Sequence, residues 1–430
     1  MNSSFKGEIE SQDHYHAVYF GMFYQGISNL LPWNVLIFAY DYFEMRLRNV
    51  PEASNFLLHF VLIFMTMKFL FLISGIKITY WIRPDLTVQL SIGMNASIFL
   101  IIGIICAIPT INLKTYYYIL IIVVLMAALF SAFIEAGFLA ILAHFPSCYT
   151  QSYMVGHGFA GVVTALLHLS SAMGTSSALS KRFAELYFGF TAFIIFLSAF
   201  LFRYMKELDM FQHYFKKGQA VQLAKVERER LAQETGMHVE QGSSYREVLC
   251  KTYDLILTVF IITWFNLLIS PLLILMTQSS AKEATIATSS KSFFHVFALL
   301  ICSVFDLIGR CLPAISSLAL TKMPFLAAAS ARLLFLPLFI FGNIRLEGFE
   351  LPFYPLYKSD WLFFIIIAVK AFTGGYFSTL CIMWTPFRVH EVDRNKAVTL
   401  VVYSLGFALL AGAISAYLLK QLLMYISIKA

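Results

Sequence analysis

Charge is scarce in this 430-residue chain. Only 13% of its residues are Asp, Glu, Lys or Arg, where a soluble protein carries about a quarter. That deficit excludes an ordinary soluble domain. Short alternating segments of about ten residues, the mark of a transmembrane barrel, are also missing. Cysteine is sparse and scattered, at Cys106, Cys148, Cys250, Cys302, Cys311 and Cys381, and no CxxC occurs. Most lie in apolar runs and read as small buried hydrophobes rather than disulfides or metal ligands. No GxxxxGK[ST], HExxH or GxSxG is present, so no enzymatic signature and no cofactor is read from the chain. The 31 basic residues form no stripe with interleaved exposed aromatics, which leaves a nucleic-acid partner unsupported. The N-terminal MNSSFKGEIESQDHYH has no apolar h-region, so the first membrane helix is expected to do the targeting. His14 and His16 in that polar tail read as solvated.

What is abundant is apolar. Hydrophobic residues make up 59% and aromatics 16%, and mean hydropathy is +0.75. The runs are long and continuous, so the spans are helices in a lipid bilayer. Eleven are expected, at 17–41, 55–76, 88–109, 115–143, 153–178, 185–205, 253–277, 292–320, 325–343, 360–385 and 397–421. The fifth is rich in Gly, Ser, Thr and His, as tight helix packing or a cavity lining requires. One segment differs in kind. Residues 206–251 are polar, with a helix-forming run at 219–233 and a Gly-containing stretch after it. The chain therefore divides into a tail (1–16), a six-helix bundle (17–205), a central loop (206–251) and a five-helix bundle (252–430). With the N-terminus cytoplasmic, the central loop puts the larger share of Lys and Arg on the cytoplasmic side, and the C-terminus falls outside.

Several polar residues stand at membrane depth. Gly21 to Phe43 is almost wholly apolar but is interrupted by Pro32-Trp33-Asn34. Proline removes a backbone donor and bends or breaks a helix. The trio suits a cavity wall better than a plain span. Lys68, Glu135, Asp306, Arg310, Arg332 and Lys370 lie inside expected spans, where a charge costs about 2.5–3.5 kcal/mol at the helix centre. Asp306 and Arg310, four apart, share one helix face. They form either a self-satisfied ion pair or an acceptor and donor for a polar solute. His157, among Gly156, Gly158 and Gly161, is either a packed structural histidine or a hydrogen-bonding group aimed at a cavity, able to titrate. Glu135 is either a proton-binding carboxylate or the counter-charge of Lys370 or Arg332, and Lys68 snorkels if it lies near a helix end. HEVDR at 390–394 reads as a charged cytoplasmic face. Many spans, a six-plus-five division and mid-membrane polar groups together suit a secondary transporter.

Five stretches resemble one family, the equilibrative nucleoside transporters. They are LLPWN with the aromatic-ended helix at 30–43, GHGFAG at 156–161, FDLIGR at 305–310, ARLLFLPLFIFGN at 331–343 and GGYFSTLCIMWTP at 374–386. The resemblance covers most of the chain. It implies an all-α membrane fold of eleven helices in a major-facilitator-like 6+5 arrangement, and a substrate that is a nucleoside or a nucleobase. Leu30 and Trp33 match positions at the nucleobase end, Met67 matches an apolar base contact, and Asp306 and Arg310 match the polar pair at the ribose end. The chain departs from the family at His157, where Gln is common, and at Ser303, where Asn is common. It also lacks the long glycosylated loop after the first helix.

The expected function is a non-enzymatic carrier moving nucleosides by alternating access, with Asn34, Glu135 and Ser303 in supporting or proton-linked roles. Two alternatives stay open: a proton-coupled carrier of nucleosides or another small polar solute, and a non-transporting receptor or scaffold. The plasma membrane is the default location, with an endolysosomal or vacuolar membrane as the alternative.

Overall fold

The computed structural model describes residues 13–47, 50, 56–81, 83–108, 111–172, 177–235, 243–270, 272–277, 291–315, 325–342, 344, 356–357 and 359–429. Nearly all of these are helical. In chain order the helices are α1 (Ala17–Phe38), α2 (Tyr40–Leu47), α3 (Phe56–Trp81), α4 (Pro84–Ala107), α5 (Leu113–Leu142), α6 (Ser147–Ala172), α7 (Ser177–Glu207) and α8 (Asp209–Thr235). They continue with α9 (Tyr245–Ile269), α10 (Leu272–Met276), α11 (Lys291–Cys311), α12 (Phe325–Ala331), α13 (Phe335–Ile340), α14 (Asp360–Trp384) and α15 (Arg394–Lys429). Eight helical segments among the described residues are long and apolar enough to cross a membrane: α4, α5, α6, α7, α9 with α10, α11, α14 and α15. Shorter apolar helices lie at His59–Gly75 and Phe325–Ile340.

Packing follows from what lipid withholds. Helices in hydrocarbon gain nothing by hiding Leu from lipid, so Leu90, Phe193, Phe200 and Leu418 stay exposed, and small or polar groups glue the bundle. α1 and α6 cross at Gly26 and Gly156. A Cβ on Gly26 would strike the Tyr153 carbonyl, and one on Gly156 the Phe23 carbonyl. Gln25 and Ser198 clasp α1 to α7, Gln25 donating to the Ser198 carbonyl at 2.9 Å and the Ser198 hydroxyl donating to Gln25 Oε1 at 2.7 Å. In the second half Trp264 Nε1 donates to Ser415 Oγ at 3.0 Å, tying α9 to α15. The two halves meet chiefly where α6 packs on α11 and α3 on α15.

Several expectations change. α1 is assigned as one helix through Pro32, and the interruption falls later, at Ala39. Only one ladder bond is lost at a proline, and the packed α6 and α7 hold the helix across it. The helix expected at 219–233 is longer, α8 starting at Asp209. The eighth span leaves α-helix at Cys311, and the ninth is broken by a 3₁₀ turn at Arg332–Leu334 between α12 and α13. Cys148, Cys250 and Cys311 are exposed rather than buried, all toward helix ends. HEVDR is no simple solvated face. Asp393 is buried, accepting from the Ser243 backbone N–H at 3.1 Å and pairing with Lys396 at 3.4 Å. Lys217 on α8 faces Glu391 at 3.6 Å, and the buried His144, between α5 and α6, has Nε2 3.1 Å from Asn395 Oδ1. The segment ties both halves and α8 together. The tail 1–12, most of the 44–54 connection and the stretch 236–242 lie outside the described residues.

Candidate functional site

A cavity of about 300 Å³ opens between α1, α5 and α6 on one side and α9, α11 and α14 on the other. Its lining includes Leu30, Trp33 and Asn34 from α1, Glu135 from α5, His157 from α6, and Ser303, Asp306 and Arg310 from α11. Residues more than 270 positions apart thus share one wall system. Met67 is not among the lining residues, while Met65 and Lys68 of the same helix are. A 3.6-residue period explains this. On α3, Met65 and Lys68 share a face, and Met67 points aside into the apolar packing.

The first-half wall is aromatic and amide-rich. Trp33 packs at a tilt against Phe64, ring centroids 4.9 Å apart. Asn34 Nδ2 is buried without a partner among the described residues. His157 is buried, and its Nε2 lies 3.2 Å from Asn29 Nδ2, so the amide donates and the ring accepts. Tyr153 stacks obliquely on the same imidazole at 4.6 Å. Asn29 and Tyr153 were missed by sequence reasoning. The signal was spacing, because Asn29 stands four residues before Trp33 and Tyr153 four before His157, in each case one turn along the same face.

The second-half wall is ionic. Arg310 Nε donates to Asp306 Oδ2 at 2.6 Å, the i,i+4 geometry expected on one helix. The pair does not exhaust its donors, since Arg310 Nη1 is buried and unpartnered among the described residues. α14 reaches Asp306 through Gly375, where an added Cβ would meet the Asp306 backbone carbonyl and lie 3.0 Å from Oδ1. Only glycine lets the helices close here. Ser303 donates its hydroxyl to the Leu299 carbonyl of its own helix at 2.9 Å, which leaves its oxygen lone pairs to face the cavity.

Glu135 meets neither Lys370 nor Arg332. Its counter-charge is Lys68, 2.7 Å away with the two side chains 11% and 7% exposed. The contact is electrostatic, its angles falling outside hydrogen-bonding geometry. Lys68 therefore does not snorkel; α5 offers it a carboxylate partner inside the bundle. Arg332, buried in the 3₁₀ turn, donates to Thr373 Oγ1 and to Asn266 Oδ1, both at 3.0 Å. Lys370 lines the cavity.

The comparisons with known proteins agree with this architecture. Equilibrative nucleoside transporter 1 of Rattus norvegicus is 23% identical, with 96% of this chain and 99% of the relative covered. Equilibrative nucleoside transporter 2 of Homo sapiens is 26% identical, covering 96% and 98%. Among solved structures, a major facilitator superfamily proton:xylose symporter superposes with a TM-score of 0.61 at 12% identity, covering 97% of this chain and 96% of that one, which shows a shared fold. The family model described as nucleoside transporter matches residues 120–421. A helical, multi-pass membrane protein with a two-sided polar cavity and a match over most of its length, this chain belongs to the nucleoside transporter family.

Proposed function

We propose that the protein carries nucleosides through this cavity by alternating access and facilitated diffusion, with eleven crossings divided six and five around the central segment 206–251. The single observation that carries the reading is the cavity's two-sided chemistry. An indole and an imidazole stand on one wall, and an Asp–Arg pair with a spare guanidinium N–H stands on the other. A nucleoside has the same two halves. Its base stacks on aromatic faces, worth about 1–3 kcal/mol per base in other proteins. Its ribose hydroxyls both donate to a carboxylate and accept from a guanidinium.

In the pose we favour, the base lies near Leu30, Trp33 and His157, and the ribose near Asp306 and Arg310. Asn34 and Ser303 supply further hydrogen-bonding groups. The N-terminus and α8 face the cytoplasm, and the plasma membrane is the default location. The halves then rock about the α6–α11 and α3–α15 contacts. Uptake of labelled uridine and adenosine into proteoliposomes, with and without a pH gradient, tests transport, substrate and coupling together. Saturable uptake indifferent to the gradient supports facilitated diffusion. Uptake that requires the gradient replaces it with a proton-coupled cycle, and no uptake of either nucleoside refutes the reading.

A further inference from the structure

The cavity carries one cation too many. Five charged side chains line it. Lys68 is matched by Glu135 and Arg310 by Asp306, at 2.7 and 2.6 Å. The fifth, Lys370, has no carboxylate within 4.0 Å and no hydrogen-bond acceptor among the described residues. It is also only 2% exposed. Its charged neighbours are Asp306, already held by Arg310, and Arg332, a further cation. Arg332 is itself 2% exposed and rests on two neutral oxygens, those of Thr373 and Asn266. This wall therefore sets three cations against one carboxylate. The Cys302 thiol beside Lys370 is a weak acceptor and cancels no charge.

A buried ammonium without a counter-charge costs several kcal/mol. Packing does not explain Lys370, because an apolar residue would fill the same wall of α14 at no electrostatic cost. A neutral nucleoside brings acceptors but no charge. We propose that Lys370 is an anion subsite of the cavity, and that its occupant is a phosphate or carboxylate group attached to a nucleoside-like solute or a free oxyanion bound beside one. The inference rests on the reading of the cavity as a nucleoside site. In the favoured pose the ribose lies against Asp306, a charged neighbour of Lys370 that lines the same cavity. At about 300 Å³ the cavity stands at the lower end of small-ligand sites, which run from about 300 to 1,000 Å³, so the anionic group must be compact.

The test uses the full-length protein in proteoliposomes and in detergent. Uridine 5′-monophosphate and inorganic phosphate compete against labelled uridine at one fixed chloride concentration. The expected result is that the monophosphate competes, and that Lys370→Met lowers its inhibition relative to that by unlabelled uridine at least ~10-fold, about 1.4 kcal/mol. Lys370→Arg keeps the inhibition. Competition by the monophosphate alone identifies a substituent of the solute; Lys370-dependent effects of inorganic phosphate identify a free oxyanion in the same subsite. Thermal stabilisation in detergent is read separately and needs no transport. The wild type should melt higher with the anion, and Lys370→Met should be at least as stable as the anion-free wild type and blind to the anion.

A lower melting temperature for Lys370→Met without anion would show that Lys370 has a structural partner, and would overturn the proposal. So would anion effects that survive Lys370→Met unchanged, or no anion effect on the wild type. Uridine uptake without any anion effect leaves the nucleoside reading standing and the subsite refuted. Lys370-dependent stabilisation by the monophosphate without uridine uptake does the reverse.

Discussion

Lys68 and Glu135 offer the sharpest test of how the polar interior is balanced. At 2.7 Å and an effective dielectric of about 20, their attraction is about 6 kcal/mol before desolvation is subtracted. With side chains 7% and 11% exposed, both charges have left water, so the net worth of the pair is far smaller. Removing one partner is a different matter, because it strands the other charge. Lys68→Met and Glu135→Leu should each destabilise the protein by about 3–5 kcal/mol. The double variant should lose less than either single, because no charge is stranded. A double-mutant cycle on unfolding in mixed micelles measures the coupling. Additive effects, or single losses below about 1 kcal/mol, would refute the reasoning. The same variants separate stability from transport. If the double variant is stable yet inactive, Glu135 or Lys68 also acts on the solute or a proton.

Other substitutions probe the walls one at a time. Asp306→Ala should abolish nucleoside uptake while the protein still reaches the membrane, as surface labelling would check; normal uptake removes Asp306 from the site. His157→Gln retains an acceptor for the Asn29 amide, so the melting temperature should hold within a few degrees while base preference or pH response changes; if neither changes, His157 is a packing residue. Gly375→Val should fail to fold or lose uptake at least ~100-fold, because a branched side chain cannot sit against the Asp306 carbonyl. His144, outside the spans, is held below the ordinary histidine range by burial first and by Arg394 next. Its Nε2–H donates to Asn395 and its Nδ1 is buried without a partner among the described residues, so protonation would place an N–H⁺ where none of them accepts it. A base with a depressed folded value favours the opened state when protonated. The contact between His144 and the α15 start should therefore weaken as pH falls below about 6.5 and go on weakening down to the depressed value. Crosslinking between the two segments across pH 5–8 should show the loss, and His144→Gln should abolish the pH dependence.

Much of the candidate cavity's lining was legible because charge in hydrocarbon is conspicuous. Asp306 and Arg310 declared their pairing by a four-residue spacing, since a helix face is a local property. Trp33 and His157 likewise stood out beside proline and glycine in apolar runs, whereas Leu30 came from the family resemblance alone. Partnership across the chain was not legible. Glu135 was matched with Lys370 or Arg332, and only the packing of α3 on α5 selected Lys68 instead. Met67 and Met65 differ by two positions, and rotation about the α3 axis, which neighbouring helices set, decided which one faces the cavity. HEVDR read as a plain charged face because its contacts come from Lys217 and Ser243, about 150 to 175 residues away.

By itself, then, the sequence determined the solvent of the fold, the helical class, the polar central segment and the chemistry available at mid-depth, because each follows from composition and from a 3.6-residue period. The tertiary structure alone decided which charges cancel. Coulomb energy depends on distance, and distance between helices is written in their crossings, not in their order. It closed α1 on α6 at Gly26 and Gly156, brought Asn29 to His157, gave Lys68 to Glu135 and left Lys370 facing the cavity with no carboxylate of its own among the described residues.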